Sequence, residues 1–431
     1  MKSKNRREFI ATCSTGITAT AVATSQTLAR SSRRAMSVAL IGCGGRGRNV
    51  AGVMARMPDI SITRVCDPNQ KRLAAAAKEL QVNDQYAVAD MRTVFDDPTV
   101  DAVLIATPDH WHAPAAILAC NAGKHVYVEK PCSHNIREGR LLVEAARRNN
   151  RVVQHGTQVR STHMMIEATK LLHSGLIGDV LAAKAWNVQR RRSIGFQQPS
   201  SPPAGLDYDL WTGPVPWIPY QTNRVTDGWH WWYHFGTGDI GNDGIHDLEY
   251  ARWGLGVEGH PNHVAATGGK YFFDDDQEFP DTQHVSFEFN EDGSQKKTLI
   301  YEQRLWSTNY PHNTDSGVEF YGTKGQMFLS RRGKIQVLGE RNRPIEVKVK
   351  TQPQDTNSHV ADFFDAIRSE RPPNADIELG HMTASLCHLG NIATRLQRSL
   401  QFDGRLEQIT NDEQAAELVQ REYREHWGVP A

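Results

Sequence analysis

The stretch Met36-Ser-Val-Ala-Leu-Ile-Gly-Cys-Gly-Gly-Arg-Gly-Arg-Asn-Val50 decides the fold. Val38 to Ile41 form an unbroken apolar run, as expected of a short strand buried on both faces. A glycine turn follows, then a run compatible with a helix. The turn is Gly42-x-Gly44-x-x-Gly47, with Gly45 and Arg46 between the last two glycines. This is the spacing of a βαβ unit that cradles a dinucleotide. Gly42 permits the tight turn, Gly44 lets backbone approach a pyrophosphate, and Gly47 lets the helix pack close to the strand. The helix start offers unpaired N–H groups and a positive dipole end to phosphates.

Three downstream features support this reading. A second strand, 62–66, ends at Asp67. An acid there accepts hydrogen bonds from ribose hydroxyls and repels a 2′-phosphate, which favours NAD. Lys71 and Arg72 follow closely and could hold that phosphate instead, so NADP stays open. A third strand, 102–106, runs into Thr107-Pro108-Asp109-His110-Trp111-His112. A fourth, 124–128, ends in Glu129-Lys130-Pro131. Functional loops of open α/β sheets lie beyond the carboxyl ends of strands, where both peptides fall. Helices are expected at 70–80, 112–122 and 135–149, and a last strand at 152–154 leads to His155-Gly-Thr-Gln158. The alternation predicts a doubly wound parallel sheet over 30–157.

The pattern then changes. A helix is expected at 161–174, before Gly175. Strands are expected at 180–188, 263–266, 284–289, 297–302, 318–321 and 345–349, with a turn at Lys324-Gly325. This describes a second α+β region, 158–400, built on a large, mostly antiparallel open sheet. Residues 197–220 form a long Pro-rich connection carrying Trp211, Trp217 and Tyr220, and loops of that length are usually functional. Closing helices are expected at 360–369, 380–398 and 411–426, the last within a closing segment, 401–431.

The first 29 residues read as a targeting segment rather than as fold. Asn5-Arg6-Arg7-Glu8-Phe9-Ile10 resembles a twin-arginine export signal, and Thr27-Leu28-Ala29 offers small residues for cleavage. The reading implies the export machinery as a partner and a periplasmic location. The run 10–29 is weakly hydrophobic and contains Gly16, so no stable membrane span is expected. Formal charge over the whole chain is zero. That balance gives no reason to invoke nucleic acid. Hydrophobic residues at 39% allow a sizeable core. Of six cysteines, Cys13 lies in the targeting segment. Cys43, Cys66, Cys120, Cys132 and Cys387 show no paired spacing, and read as buried small hydrophobes, with disulfides as the alternative.

The densest chemistry lies at 228–253, Gly-Trp-His-Trp-Trp-Tyr-His-Phe-Gly-Thr-Gly-Asp-Ile-Gly-Asn-Asp-Gly-Ile-His-Asp-Leu-Glu-Tyr-Ala-Arg-Trp. A helix is expected from 240 to 253. It would put Asn242, His246 and Glu249 on one face. Aromatic rings beside imidazoles and carboxylates suit a sugar, with its apolar CH faces and many hydroxyls. No compact zinc spacing occurs, and no metal is expected. Trp229, Trp231 and Trp232 read equally well as core.

Taken together, the motifs resemble the Gfo/Idh/MocA family of NAD(P)-dependent oxidoreductases. The residues carrying the resemblance are Gly42-Cys-Gly-Gly-Arg-Gly47, Ala106-Thr-Pro-Asp-His-Trp-His112, Ala122-Gly-Lys-His-Val126, Glu129-Lys-Pro131, Leu172-His-Ser-Gly-Leu-Ile-Gly178, Asp243-Gly-Ile-His246 and Tyr321-Gly-Thr-Lys-Gly325. The resemblance implies a Rossmann domain followed by an open-sheet domain that binds a sugar or polyol and often mediates homo-oligomers, dimers or tetramers. It implies that the dinucleotide meets Gly42, Gly44, Gly45, Arg46, Gly47, Asp67, Thr107, Pro108, His110, His112, Glu129 and Lys130. The family lysine falls on Lys130 and its helical histidine on His246. The usual aspartate four residues earlier is Asn242 here. Asn can hydrogen-bond but cannot take a proton, so Asp243 or Asp239 becomes the alternative acid. Substrate contacts are expected from Lys130, Gln158, Arg160, Trp211, His230 and His246.

The expected chemistry removes hydride from a hydroxyl carbon while a base takes the hydroxyl proton. Lys130 is positioned for that, with His246 as a second acid–base. A redox-neutral glycosidase or eliminase that oxidises a sugar transiently is the alternative, because an exported enzyme has no ready pool of free NAD and must hold its cofactor tightly. A non-catalytic sugar-binding protein is the third reading, and only Asn242 speaks for it.

Overall fold

The computed structural model describes residues 34–225, 228–290 and 295–424. The first region is a six-stranded parallel sheet in the order β3-β2-β1-β4-β5-β6. Its strands are β1 (Met36–Ile41), β2 (Ile60–Cys66), β3 (Ala87–Val88), β4 (Ala102–Ile105), β5 (His125–Val128) and β6 (Val153–His155). The helices α1 (Gly45–Met54), α2 (Gln70–Glu79), α3 (Asp109–Asn121) and α4 (Ile136–Arg148) connect them. Val38 to Ile41 are buried, as a strand covered on both faces requires. The order reverses beside β1, so the carboxyl ends of β1 and β4 open a crevice there.

After α5 (His163–His173), the second region is a nine-stranded sheet in the order β13-β12-β11-β7-β10-β9-β8-β14-β15. Its strands are β7 (Val180–Val188), β8 (His263–Gly269), β9 (Thr282–Phe289), β10 (Lys297–Arg304), β11 (Ser316–Gly322), β12 (Gly325–Ser330), β13 (Lys334–Gly339), β14 (Leu400–Asp403) and β15 (Gln408–Ile409). All pairings are antiparallel except β7 with β10. Helix α6 (Ile245–Leu255) packs on β7 and β11, and α8 (Ile377–Leu396) packs on β8. Helix α7 (Thr356–Arg368) returns to the first region, where Val360, Phe363 and Phe364 join the core around β1 and α1. The five cysteines named above are free and buried. No helix among the described residues is long and apolar enough to cross a membrane. The twin-arginine motif lies outside the described residues.

Several expected elements differ. Residues 345–349 form no strand, and the sheet edge is made by β12 and β13 instead. The closing helix shrinks to Glu413–Glu417, capped by Asp412. Beyond it the chain is held by long-range contacts rather than a helix ladder: Arg421 donates to His110 O and Arg424 to Gly213 O. The helix expected from 240 begins as a π-turn, Ile240–Gly244. A Cβ on Gly244 would stand 2.2 Å from the Tyr301 hydroxyl, so the chain fits only without one. Such π-turns recur at functional sites.

Candidate active site

A cavity of about 370 Å³ opens at the carboxyl ends of β1 and β4. Its walls include Gly42, Gly44, Gly45, Arg46, Asp67, Thr107, Pro108, His112, Glu129 and Lys130 from the first region. The three motif glycines do different work. Gly42 has φ +92°, and a Cβ there would lie 2.5 Å from the Ala106 backbone. A Cβ on Gly47 would lie 2.1 Å from Gly42 O. A Cβ on Gly44 or Gly45 meets nothing within 4 Å and would project into open space. Gly44 also caps α1 without a side chain, leaving the helix start bare. These observations fit a pyrophosphate at the start of α1.

Asp67 closes the far end. Its carboxylate accepts from Cys43 N–H at 2.8 Å and Asn69 N–H at 2.8 Å, which fixes its orientation. Burial raises its pKa, against those two hydrogen bonds. Arg72 lines the same end. Arg46 pairs with Glu129 at 2.7 Å across the turn. His112 sits between two carbonyls, Pro131 O at 2.6 Å and Thr107 O at 2.9 Å, and ties the two loops together.

The rest of the wall comes from the second region, through Leu210, Trp211, Trp229, His230 and Asn242. The 197–220 segment crosses onto the first region to supply part of it. Gln70 N–H donates to Gly205 O at 2.8 Å and Asp207 N–H to Pro68 O at 3.0 Å. Trp211 is buried, and its carbonyl accepts from His110 Nε2 at 2.9 Å and Trp111 Nε1 at 3.1 Å. The arm therefore lies over the β2–α2 turn, next to Asp67, and is nailed down by α3. The sequence marks this arm only as a long loop.

A second cavity, of about 630 Å³, adjoins the first. Arg191, Asn223, Trp231, His230 and Asn242 are in its walls, and the last two line both cavities. At that junction Lys130 Nζ donates to Asn242 Oδ1 at 3.0 Å and to the Asn242 carbonyl. The end of β5 and the π-turn thus meet through one lysine. His246 stands behind Asn242, 5% exposed, with Nδ1 buried and without a protein partner. Burial, then the charges of Arg331 and Lys130, hold His246 far below its usual pKa, so it is neutral. Burial, Lys130 and Arg191 likewise push His230 down to about 3.

Charges beneath the junction are tightly matched. Arg191 reaches Asp239 at 2.7 Å and also Asp243, and Arg331 lies 3.5 Å from Asp243. Burial pushes Asp243 up, but Arg331, Arg191 and Lys130 outweigh it and hold the carboxyl well below the ordinary range. Asp243 is therefore a fixed anion that braces the π-turn. Arg191 and Arg331 escaped the sequence reading. They follow the ends of β7 and β12 and carry no motif; the one signal was an acid-rich helix start in need of counter-charges.

Besides His246, four expected contacts line neither cavity, and the first, Gly47, is packed against Gly42 O. His110 lies behind the cavity wall, fully buried against Trp211 and Phe235, where it anchors the arm. Gln158 is buried and donates to Gly156 O and Tyr127 Oη. Arg160 pairs with Glu249 at 2.6 Å and covers the Trp253 ring, so Glu249 is also spoken for.

Fold and site together define a two-region, dinucleotide-dependent oxidoreductase. The chain belongs to the Gfo/Idh/MocA oxidoreductase family. Its NAD-binding Rossmann model matches residues 36–157 and its C-terminal α/β model residues 164–429. The levoglucosan dehydrogenase of Pseudarthrobacter phenanthrenivorans is 32% identical over 160 residues, 36% of this chain and 41% of that protein. The myo-inositol 2-dehydrogenase of Thermotoga maritima is 23% identical over 385 residues, 85% of this chain and 99% of that protein. The aldose-aldose oxidoreductase of Caulobacter crescentus, solved with glycerol, superimposes with a TM-score of 0.66 at 18% identity. That match covers 86% of this chain and all of the other, and speaks for the fold.

Proposed function

We propose that the chain is an NAD-dependent oxidoreductase acting on a hydroxyl of a sugar or polyol, with the cofactor held tightly between the two regions. The carrying observation is the junction of the two cavities, where Lys130 of the dinucleotide wall meets Asn242 and His230. The substrate enters by the second cavity, against Trp231 and His230. When bound, the nicotinamide supplies the hydride acceptor. The chain does the rest. As a free amine Lys130 takes the hydroxyl proton, or as an ammonium it holds the alkoxide, and Asn242 fixes that ammonium through two oxygens. Neutral His230 and His246 orient the hydroxyl by hydrogen bonds. Asp243 keeps its charge and braces the turn, so the role of proton acceptor falls to Lys130. The names of the relatives, a levoglucosan and an inositol dehydrogenase, support a cyclic polyhydroxylated substrate.

Asp67 supports NAD, and Arg72 at the same end is the group that would accommodate NADP. The docked arm supports tight retention, because it spans the adenosine end of the cavity. Retention in turn supports the second reading, a redox-neutral turnover in which the hydride returns to the same sugar. Arg6 and Arg7 support export through the twin-arginine route to the periplasm. Exposed Ile300 and Tyr321 on the open sheet support a homo-oligomer, a dimer or tetramer.

The test is direct. Purified protein is denatured, and the absorbance and mass of the released small molecule are read. Release of NAD, together with turnover of sugar substrates without added cofactor, is the expected result. A folded protein that releases no dinucleotide and needs none for activity sinks the reading.

A further inference from the structure

A third cavity, of about 660 Å³, is separate from the two that meet at Lys130. His134, just beyond the Glu129-Lys130-Pro131 turn, contributes to its wall, as do Thr237, His388 and Asn391. Arg421, from the segment that closes the chain, completes it. Thr237 is the partition: its hydroxyl donates at 2.7 Å to Asp109, which lines the dinucleotide cavity.

The polar atoms around this space are poorly matched with one another. Arg421 spends Nη2 on His110 O at 2.7 Å and on Glu138 at 2.6 Å. Its Nε and Nη1 are buried and have no protein partner. Neither ring nitrogen of His134 has one. Asn391 spends its amide N–H on Thr237 O at 2.7 Å, leaving its Oδ1 unpaired. Among the buried atoms, unpaired N–H bonds of Arg421 and His134 therefore outnumber the unpaired acceptors, which are the second His134 nitrogen and Asn391 Oδ1. Buried groups of this kind are costly unless something fills them.

The electrostatics have the same sense. Burial, then Arg421, His388, His110 and His234, drive the His134 pKa far below its usual value. Glu138 holds Arg421, and three carboxylates stand at the wall: Glu278, which accepts from Tyr233 N–H at 2.5 Å, and the solvent-exposed Glu417 and Glu422, with the exposed Arg395 as a second guanidinium on the same wall. A partly unpaired guanidinium in such surroundings matches an oxyanion, which accepts charge-assisted, paired hydrogen bonds.

We propose that this cavity binds a small molecule through a carboxylate or phosphate group, with Arg421 as principal donor and His134 as a second. Its size suits a ligand of about one sugar unit. The site is independent of the sugar site and of the dinucleotide.

The test uses the full protein with NAD at saturation, so that the pyrophosphate cradle is filled. Inorganic phosphate, citrate and chloride are compared at matched ionic strength by calorimetry and by melting temperature. Saturable binding of phosphate or citrate, with a raised melting temperature and no such response to chloride, is expected. Phosphate alone identifies the phosphoryl form, and citrate alone the carboxylate form. Arg421→Gln and, separately, His134→Leu should each weaken that binding by about tenfold or more. If Arg421→Gln fails to fold, His134→Leu still decides. No binding beyond chloride, or undiminished binding to the folded variants, overturns the proposal and leaves a water-filled cavity.

Discussion

The dinucleotide cavity and the cavity beside it share Asn242 and His230 yet are made of different material. The first is built from backbone: glycines without Cβ atoms, a bare helix start and loops at strand ends. Most of its residues lie within a few positions of a recognisable strand. The second is walled by side chains from the segment after β7, from Asn223, His230 and Trp231 and from the π-turn, and beneath that wall stands the pairing of Arg191 and Arg331 with Asp239 and Asp243. A backbone cradle works by shape and tolerates few substitutions. A wall that rests on paired charges works by balance, so a single loss leaves an uncompensated partner.

The largest expected effect breaks the cradle. Gly44→Val should fold, because its Cβ meets nothing within 4 Å, yet the side chain enters the space of the pyrophosphate. Dinucleotide retention should fall to background by absorbance of the purified protein. Gly42→Ala is the contrast. It places a Cβ 2.5 Å from backbone at φ +92°, so it should lose stability by about 2 kcal/mol or more before binding is tested. The comparison fails if folded Gly44→Val still carries full cofactor, or if Gly42→Ala melts like the wild type.

The next effect is at the shared junction. Lys130→Met keeps much of the side-chain volume but removes the proton acceptor, and turnover should fall about 10²-fold or more with cofactor still bound. His246→Ala should cost less than that, since Asn242 rather than His246 receives Lys130 Nζ. In the double variant the losses should combine to less than their product, because the groups act as a unit. Full activity in folded Lys130→Met would move proton transfer to the histidines.

This contrast also explains what the sequence shows. The turn at Gly42, the acid at Asp67 and the lysine after β5 are legible because local geometry demands those residue types at those spacings. That the first sheet is parallel follows from the alternation. Nothing local marks Arg191 or Arg331, which matter only through partners set by the fold. Arg160 misleads for the same reason: it follows a strand end like Lys130, but Glu249 and Trp253 draw it into the core. The arm at 197–220 is legible as a long loop, but its docking on the β2–α2 turn depends on backbone groups that every sequence carries. The closing helix fails because Arg421 and Arg424 find better partners in the first region than a helix ladder offers.

The smallest effect tests the balance of charge itself, through two acids four residues apart. Asp243 is held low by three cations that outweigh its burial. Asp247 is fully buried where Asp243 is partly exposed, and its nearest cation, Arg331, is 3.7 Å away and is shared with Asp243. There burial outweighs Arg331, and the pKa is pushed up to about 7. A carboxyl whose pKa folding has raised binds its proton more tightly in the native state. Its contribution to stability is fully present below the ordinary value near 3.8 and is lost as pH rises through about 7. Asp247→Asn keeps an oxygen to accept the Tyr250 hydroxyl, now at 2.8 Å, and never carries the charge. The variant should therefore be more stable than the wild type at pH 8, with the advantage shrinking toward pH 4. Urea unfolding of both proteins at pH 5 and pH 8 measures it. A stability difference independent of pH would mean that Arg331 neutralises both acids and that Asp247, like Asp243, is a settled anion.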